Sequence, residues 1–300
     1  MRRINRVKHV IQHRETTSLE EAIEQFLTRC EIRGLSEHTV AYYQKELKQL
    51  HKALIYVGIS CDNIEDITTQ NLELVVQHWL ASNRKPKTIN SRIVAGKTLF
   101  KMFNNNSFDS IGKLKERMIV GRTFSHSELE KLLNSADLAT FSGLRDYTMM
   151  LTFAHTGIRL NELCLLNVQN VSFEQNALLV SFTKNRKERT IPLTKRLNST
   201  LRTYIKERGI LDTDALFITL ENNPIPNRTV QERLQHYGKK EGISQVSPHA
   251  FRRTFARRKV EAGVNIFFIQ RLMGHADLEQ LQQYVEIFGK DLHDVIEKGT

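Results

Sequence analysis

Cysteine is scarce in this chain of 300 residues: Cys30, Cys61 and Cys164 lie far apart and form no CxxC pair. An odd, dispersed set of that kind argues against a disulfide framework and against structural zinc. It makes a reducing cytoplasm the expected location. Long apolar runs are also lacking. None approaches the roughly 20 residues of a membrane-spanning helix, so no membrane association is expected. The basic start Met1-Arg2-Arg3-Ile4-Asn5 is followed by no apolar stretch like that of a secretory signal. Internal repeats and low-complexity tracts are absent. Acidic residues are in deficit: 33 Asp and Glu face 44 Lys and Arg, a net charge of +11.

What is present is a folding composition, with 40% hydrophobic and 26% charged residues. The length suits one large domain or two ordinary ones. The positive excess favours a polyanionic partner, of which nucleic acid is the commonest. A basic protein with no such partner has the same charge.

Residues 1–17 read as a polar, flexible arm. Ser18-Leu19-Glu20-Glu21 is a capping box that opens a helix carrying Ala22, Ile23, Phe26 and Leu27. Gly34 stops it and Ser36 starts another, with Val40, Tyr43, Leu47 and Leu50 at helical spacing. Further helices are expected over about 71–81 and, after Pro86, about 88–103. Residues 18–107 thus read as a small helical bundle. The polar stretch 108–121 reads as a linker. Ser125-His126-Ser127-Glu128, a second capping box, lies at the start of a second domain over 122–300. That domain is mixed. A helix over about 144–155 ends at Gly157. A β-hairpin covers 178–183 and 189–193. Helices follow near 195–208 and 228–241, and three short ones lie in 247–288.

Four places carry chemistry. In the helix begun by Ser247 and Pro248, His249 and Arg252 are three apart and share a face, while Phe251 and Phe255 take another. That face and the helix N-terminus suit a phosphate. A basic solvated face continued by Arg253, Arg257 and Arg258 explains the same residues. In His155-Thr156-Gly157-Ile158-Arg159-Leu160-Asn161-Glu162, Arg159 falls at a helix junction with Glu162 as an orienting partner. Its planar fork suits two phosphate oxygens, and a structural ion pair is the plainer reading. The hairpin tip Thr183-Lys184-Asn185-Arg186-Lys187-Glu188-Arg189 is either a DNA-groove contact or a soluble charged turn. Finally, Leu272-Met273-Gly274-His275 precedes Tyr284 by nine residues from the histidine. Locally, Tyr284 looks like core filling beside Leu281, Val285 and Phe288.

The order of these pieces is what decides. The sequence resembles the tyrosine recombinases of the phage integrase family, above all the compact, Xer-like members. The family pattern runs through T-G-x-R-x-x-E-L, a hairpin lysine, H-x-x-R, L-G-H and a tyrosine nine residues on. All five appear here in order. Gly34-Leu35-Ser36, Thr39 and Tyr42-Tyr43 resemble the family's first domain, so the likeness spans about 18–290. Arg253 stands where many relatives have His, and Met273 where Leu is usual.

The resemblance implies an α+β, mostly α fold: a SAM-like helical core-binding bundle, then a catalytic domain with a small antiparallel sheet, the DNA breaking-rejoining fold. It implies a site-specific recombinase for integration, excision or dimer resolution. Arg159, Lys184, His249, Arg252, His275 and Tyr284 would be catalytic. Tyr284 would be the nucleophile of a 3′-phosphotyrosine intermediate and Lys184 the general acid, with Lys187 as the alternative. Lys184, Arg186, Lys187 and Arg253 would contact DNA. No metal and no cofactor are expected. The partner would be double-stranded DNA at specific sites, clamped between the two domains by a homotetramer on two sites or by a pairing with a paralogous recombinase. The location would be cytoplasmic and nucleoid-associated. The tail 290–300 would dock on a neighbouring protomer. Residues 1–17 look too short for a separate arm-binding domain. Two rivals share the pattern: a type IB topoisomerase or telomere resolvase, and a DNA-binding regulator that has lost catalysis.

Overall fold

The computed structural model describes residues 16–116, 121–181 and 188–274. The chain divides into two compact units, with the boundary between residues 118 and 119.

The first unit is helical. Its elements are α1 (Leu19–Ile32), α2 (Glu37–Tyr56), α3 (Thr69–Ala81) and α4 (Pro86–Met102). The expected capping box of α1 forms in both directions: Glu21 N–H donates to Ser18 Oγ, and Ser18 N–H donates to the Glu21 carboxylate at 2.9 Å. Pro86 occupies the first turn of α4, where its missing N–H costs nothing. The long α2 packs on α1, α3 and α4. Leu47, Leu50, Leu54, Trp79, Ile89 and Phe100 fill the core between them. Burying each such side chain contributes about 1.5–3 kcal/mol.

The segment read as linker is attached to this unit as far as Glu116. Phe108 is buried edge-on against Phe100, with ring centroids 4.8 Å apart. Asn90, itself buried, accepts from Leu114 N–H at 2.8 Å and donates to the Leu114 carbonyl at 3.0 Å and the Glu116 carboxylate at 2.7 Å.

The second unit contains α5 (His126–Asn134), α6 (Phe141–Thr156), α7 (Leu160–Cys164), β1 (Val171–Ser172), β2 (Ala177–Val180), β3 (Arg189–Pro192), α8 (Lys195–Arg208), α9 (Asn227–Lys240), α10 (Pro248–Glu261) and α11 (Ile266–Met273). The strands form an antiparallel sheet in the order β1-β2-β3, with Val180 opposite Arg189. The expected hairpin is therefore present at its base, and its tip lies outside the described residues. Strand β1 is an addition to the expected pair. Helix α6 is the central post. Met149, Met150, Leu151 and Phe153 are all buried, and α8, α9 and α10 pack around it. Arg145, Asp146, Thr148 and Thr152 of the same helix are buried as well, so α6 is enclosed by the domain. Among the described residues no helix is long and apolar enough to cross a membrane.

Candidate active site

The site is built where α6 stops. Gly157 caps that helix in the left-handed region, with φ of 63°, and its N–H donates to the Phe153 carbonyl. A Cβ there would lie 2.5 Å from the Phe255 ring of α10. Glycine is thus required twice, for the backbone angle and for the close approach of α10. Two residues later Arg159 caps α7, and its backbone N–H donates to Glu162 Oε2 at 2.9 Å.

The Arg159 guanidinium is held on its protein side. Nη1 donates to Glu162 Oε1 and to the Met273 carbonyl, and Nη2 to the Gly274 carbonyl, each at 3.2 Å. Its side chain remains 30% exposed. Arg252 of α10 is buried. It donates to the Gly157 carbonyl through Nη1 and to the Met273 carbonyl through Nη2, the latter at 2.7 Å. The two arginines therefore meet at one carbonyl, that of Met273, although 93 positions separate them in the chain. His249 lies exposed in the first turn of α10, one turn ahead of Arg252, as its spacing implies. Ser247 caps that turn by accepting from Ala250 N–H at 3.2 Å.

Gly274 completes the turn with φ of 78°. A Cβ there would approach Arg159 Nη1 to 3.1 Å and Arg189 Nη1 to 3.4 Å. The glycine before His275 thus lets two guanidiniums close on the backbone from which His275 departs.

One participant was not anticipated from the sequence. Arg189, the first residue of β3, is buried and grips Glu162 with both arms of its fork: Nη1 to Oε1 at 2.9 Å and Nη2 to Oε2 at 2.7 Å. Its Nε donates to the Leu272 carbonyl at 2.7 Å. A faint signal existed. Arg189 and Ile191 share the inward face of a strand whose burial alternates, and a charge at an inward position needs a partner. Burial by itself would raise the Glu162 pKa. The donors of Arg189 and Arg159 outweigh it and hold the carboxyl below its usual range. Glu162 is accordingly ionised at neutral pH.

His155, at the start of the same motif, is a packing residue. Its Nδ1 lies 2.6 Å from Thr194 Oγ1. Burial, with Arg196 and Arg258 nearby, pushes its pKa down to about 4, so the ring is neutral. Arg253 is half-buried with its guanidinium over the backbone of Gly121, where a Cβ would come within 2.2 Å of Cζ. Lys184, Arg186, Lys187, His275 and Tyr284 lie outside the described residues.

Comparison with known proteins decides the family. Residues 122–290 match the phage integrase family, and residues 23–105 match its N-terminal SAM-like domain. The chain belongs to the phage integrase family. It is 30% identical over 299 residues to the tyrosine recombinase XerA of Pyrococcus horikoshii, covering 96% of this chain and 97% of that protein. XerA of Pyrococcus furiosus is 29% identical over 291 residues, covering 96% of each. Among solved structures, the XerH site-specific recombinase bound to palindromic difH substrate shares the fold with a TM-score of 0.74, at 17% identity, covering 93% of this chain and 84% of that one. This family member is a site-specific tyrosine recombinase, an enzyme that cleaves and rejoins DNA. The integrase match contains every candidate catalytic position, Arg159 through Tyr284.

Proposed function

We propose that this integrase-family enzyme breaks DNA with Tyr284 and holds the reacting phosphate with Arg159 and Arg252. The observation that carries the reading is the convergence of those two arginines on the carbonyls of Met273 and Gly274, directly before His275. Tyr284 Oη attacks phosphorus, the bond to the 5′-oxygen breaks, and a 3′-phosphotyrosine and a 5′-hydroxyl result. The phosphodiester is conserved in the protein–DNA bond, so rejoining needs no nucleotide hydrolysis. Negative charge grows on the non-bridging oxygens during attack. Two guanidiniums held beforehand by protein carbonyls stabilise that charge without reorganising. Lys184, or Lys187 beside it, protonates the leaving 5′-oxygen; His249 assists proton transfer at Tyr284 and His275 hydrogen-bonds the phosphate.

The partner is double-stranded DNA at specific recombination sites. Lys184, Arg186, Lys187 and Arg253 contribute contacts, consistent with the net charge of +11. The working assembly is four protomers on two sites, built from this chain alone or with a paralogous recombinase, and the tail 290–300 docks between neighbours. The enzyme acts in the cytoplasm on nucleoid DNA. The helical first unit, the likeness to XerA over nearly the whole of both chains, and the complete set of six motif residues support this over a topoisomerase or a decayed regulator. A nicked suicide substrate tests the reading. The wild type accumulates a covalent adduct, and Tyr284→Phe accumulates none while still binding DNA. An adduct formed by Tyr284→Phe overturns it.

A further inference from the structure

We propose that Arg189 is a positioning residue for the cleavage reaction: by engaging Glu162 it keeps the charge of Arg159 available to the scissile phosphate. This rests on the reading above, in which Arg159 stabilises that phosphate.

Glu162 is one carboxylate, 2% exposed, between two guanidiniums. Among the described residues it accepts from Arg189 Nη1 and Nη2, Arg159 Nη1 and the Arg159 backbone N–H. The contacts are unequal. Arg189 makes the paired fork at 2.9 and 2.7 Å, the strongest form of this interaction. The Arg159 guanidinium touches one oxygen, at 3.2 Å. The exposed member is Arg159, at 30% of its side chain against 7% for Arg189. Glu162 is thus held mainly by Arg189, and Arg159 is the more accessible of the two guanidiniums.

Without Arg189 the fork on Glu162 is lost. Glu162 would turn its full charge on Arg159, in surroundings of low polarity where that attraction is strong. The guanidinium would be drawn inward and its field at the phosphate cancelled. Removing Glu162 together with Arg189 takes away one charge of each sign and relieves Arg159 of that pull.

The geometry adds a second link. Arg189 Nε holds the Leu272 carbonyl at 2.7 Å, on the last turn of α11 before Gly274 and His275. Arg189 also begins the strand that follows the Lys184 segment. One buried side chain thereby ties together the hairpin base, the Arg159 turn and the segment leading to His275.

The test is single-turnover formation of the covalent adduct on a nicked suicide substrate, measured with DNA affinity and thermal unfolding. The variants are Arg189→Ala, Arg189→Lys and the double variant Arg189→Ala/Glu162→Gln. Arg189→Ala is expected to form adduct on the order of 100-fold more slowly, as when one oxyanion donor is lost, with DNA affinity nearly unchanged. Arg189→Lys restores the charge without the fork and falls between that variant and the wild type. The double variant recovers about 10-fold relative to Arg189→Ala, because no unmatched carboxylate remains. A purely structural buttress would make the double variant as slow as Arg189→Ala or slower, and that result overturns the proposal. So does an Arg189→Ala rate equal to wild type, or a loss that merely follows DNA affinity. Should Arg189→Ala fail to fold, the double variant decides by itself: a rate within about 10-fold of wild type is expected, and a loss on the order of 100-fold or more contradicts the proposal. The wild-type control separates the two claims. If it forms adduct and Arg189→Ala does so equally fast, only the role of Arg189 fails. If the wild type forms none, the phosphotyrosine reading fails and this inference with it.

Discussion

Among the described residues of the second unit, two clusters place one carboxylate between two arginines, and they differ instructively. In one, Asp146 accepts from Arg145 Nε at 3.0 Å and Nη2 at 2.9 Å, and from Arg233 Nε at 2.6 Å. In the other, Glu162 lies between Arg189 and Arg159. Each has one buried arginine and one about a third exposed: Arg233 at 34% and Arg159 at 30%. Up to this point the two are near copies. The difference lies in what else the exposed arginine meets. Arg233 lies over the Tyr237 ring at 5.3 Å and donates to its hydroxyl, which in turn donates to Asp146. That network closes on itself. Arg159 instead shares the Met273 carbonyl with Arg252 and reaches Gly274, the residue before His275. A buried arginine–carboxylate group is therefore no mark of catalysis by itself. Convergence with a second arginine on a turn leading to motif residues is what distinguishes the Glu162 cluster.

Mutation of matched positions breaks or sharpens that contrast. Arg159→Ala should show the largest effect, slowing adduct formation by roughly 100- to 1,000-fold, the size seen when one oxyanion donor is removed. DNA affinity should change little, and its salt dependence by about one phosphate contact at most. A rate that falls only in step with affinity would make Arg159 an ordinary phosphate contact. Asp146→Ala should do the opposite. It strands the buried Arg145 without its carboxylate and should lower stability by about 3–5 kcal/mol, read by denaturant unfolding, while the rate per folded molecule stays near wild type. Should Asp146→Ala slow the chemistry and leave stability intact, the two clusters would have been assigned the wrong way round.

Much of this frame was legible in the sequence, and the exceptions have physical causes. The helix starts at Ser18, Ser36, Ser125 and Ser247 were readable because a hydroxyl that caps a free N–H leaves a local signature. Helix α3 begins at Thr69 rather than near 71, since its cap is Thr68 with Asn71 reaching back, a less familiar pairing than Ser with Glu. Helix α6 starts three residues early, at Phe141, because Thr140 caps Gly143, and a glycine in the first turn hides a helix. Strand β1 has two residues, too few for alternation to appear. Phe108 is a single apolar residue in a polar stretch, and only packing on Phe100 reveals it as core. In the site, Arg159, His249 and Arg252 were marked by motif spacing. Arg189 was not, because its role depends on Glu162, 27 positions away in sequence, and on a carbonyl of α11.

The central claim is that the arginine convergence serves a reaction at Tyr284. Its most direct test is to trap the wild-type enzyme on a nicked suicide substrate, digest it, and identify by mass spectrometry the peptide that carries the nucleotide remnant. The account predicts a 3′-phosphate linked to Tyr284 and a free 5′-hydroxyl on the released strand. Attachment to any other residue, or through a 5′-phosphate, would contradict it.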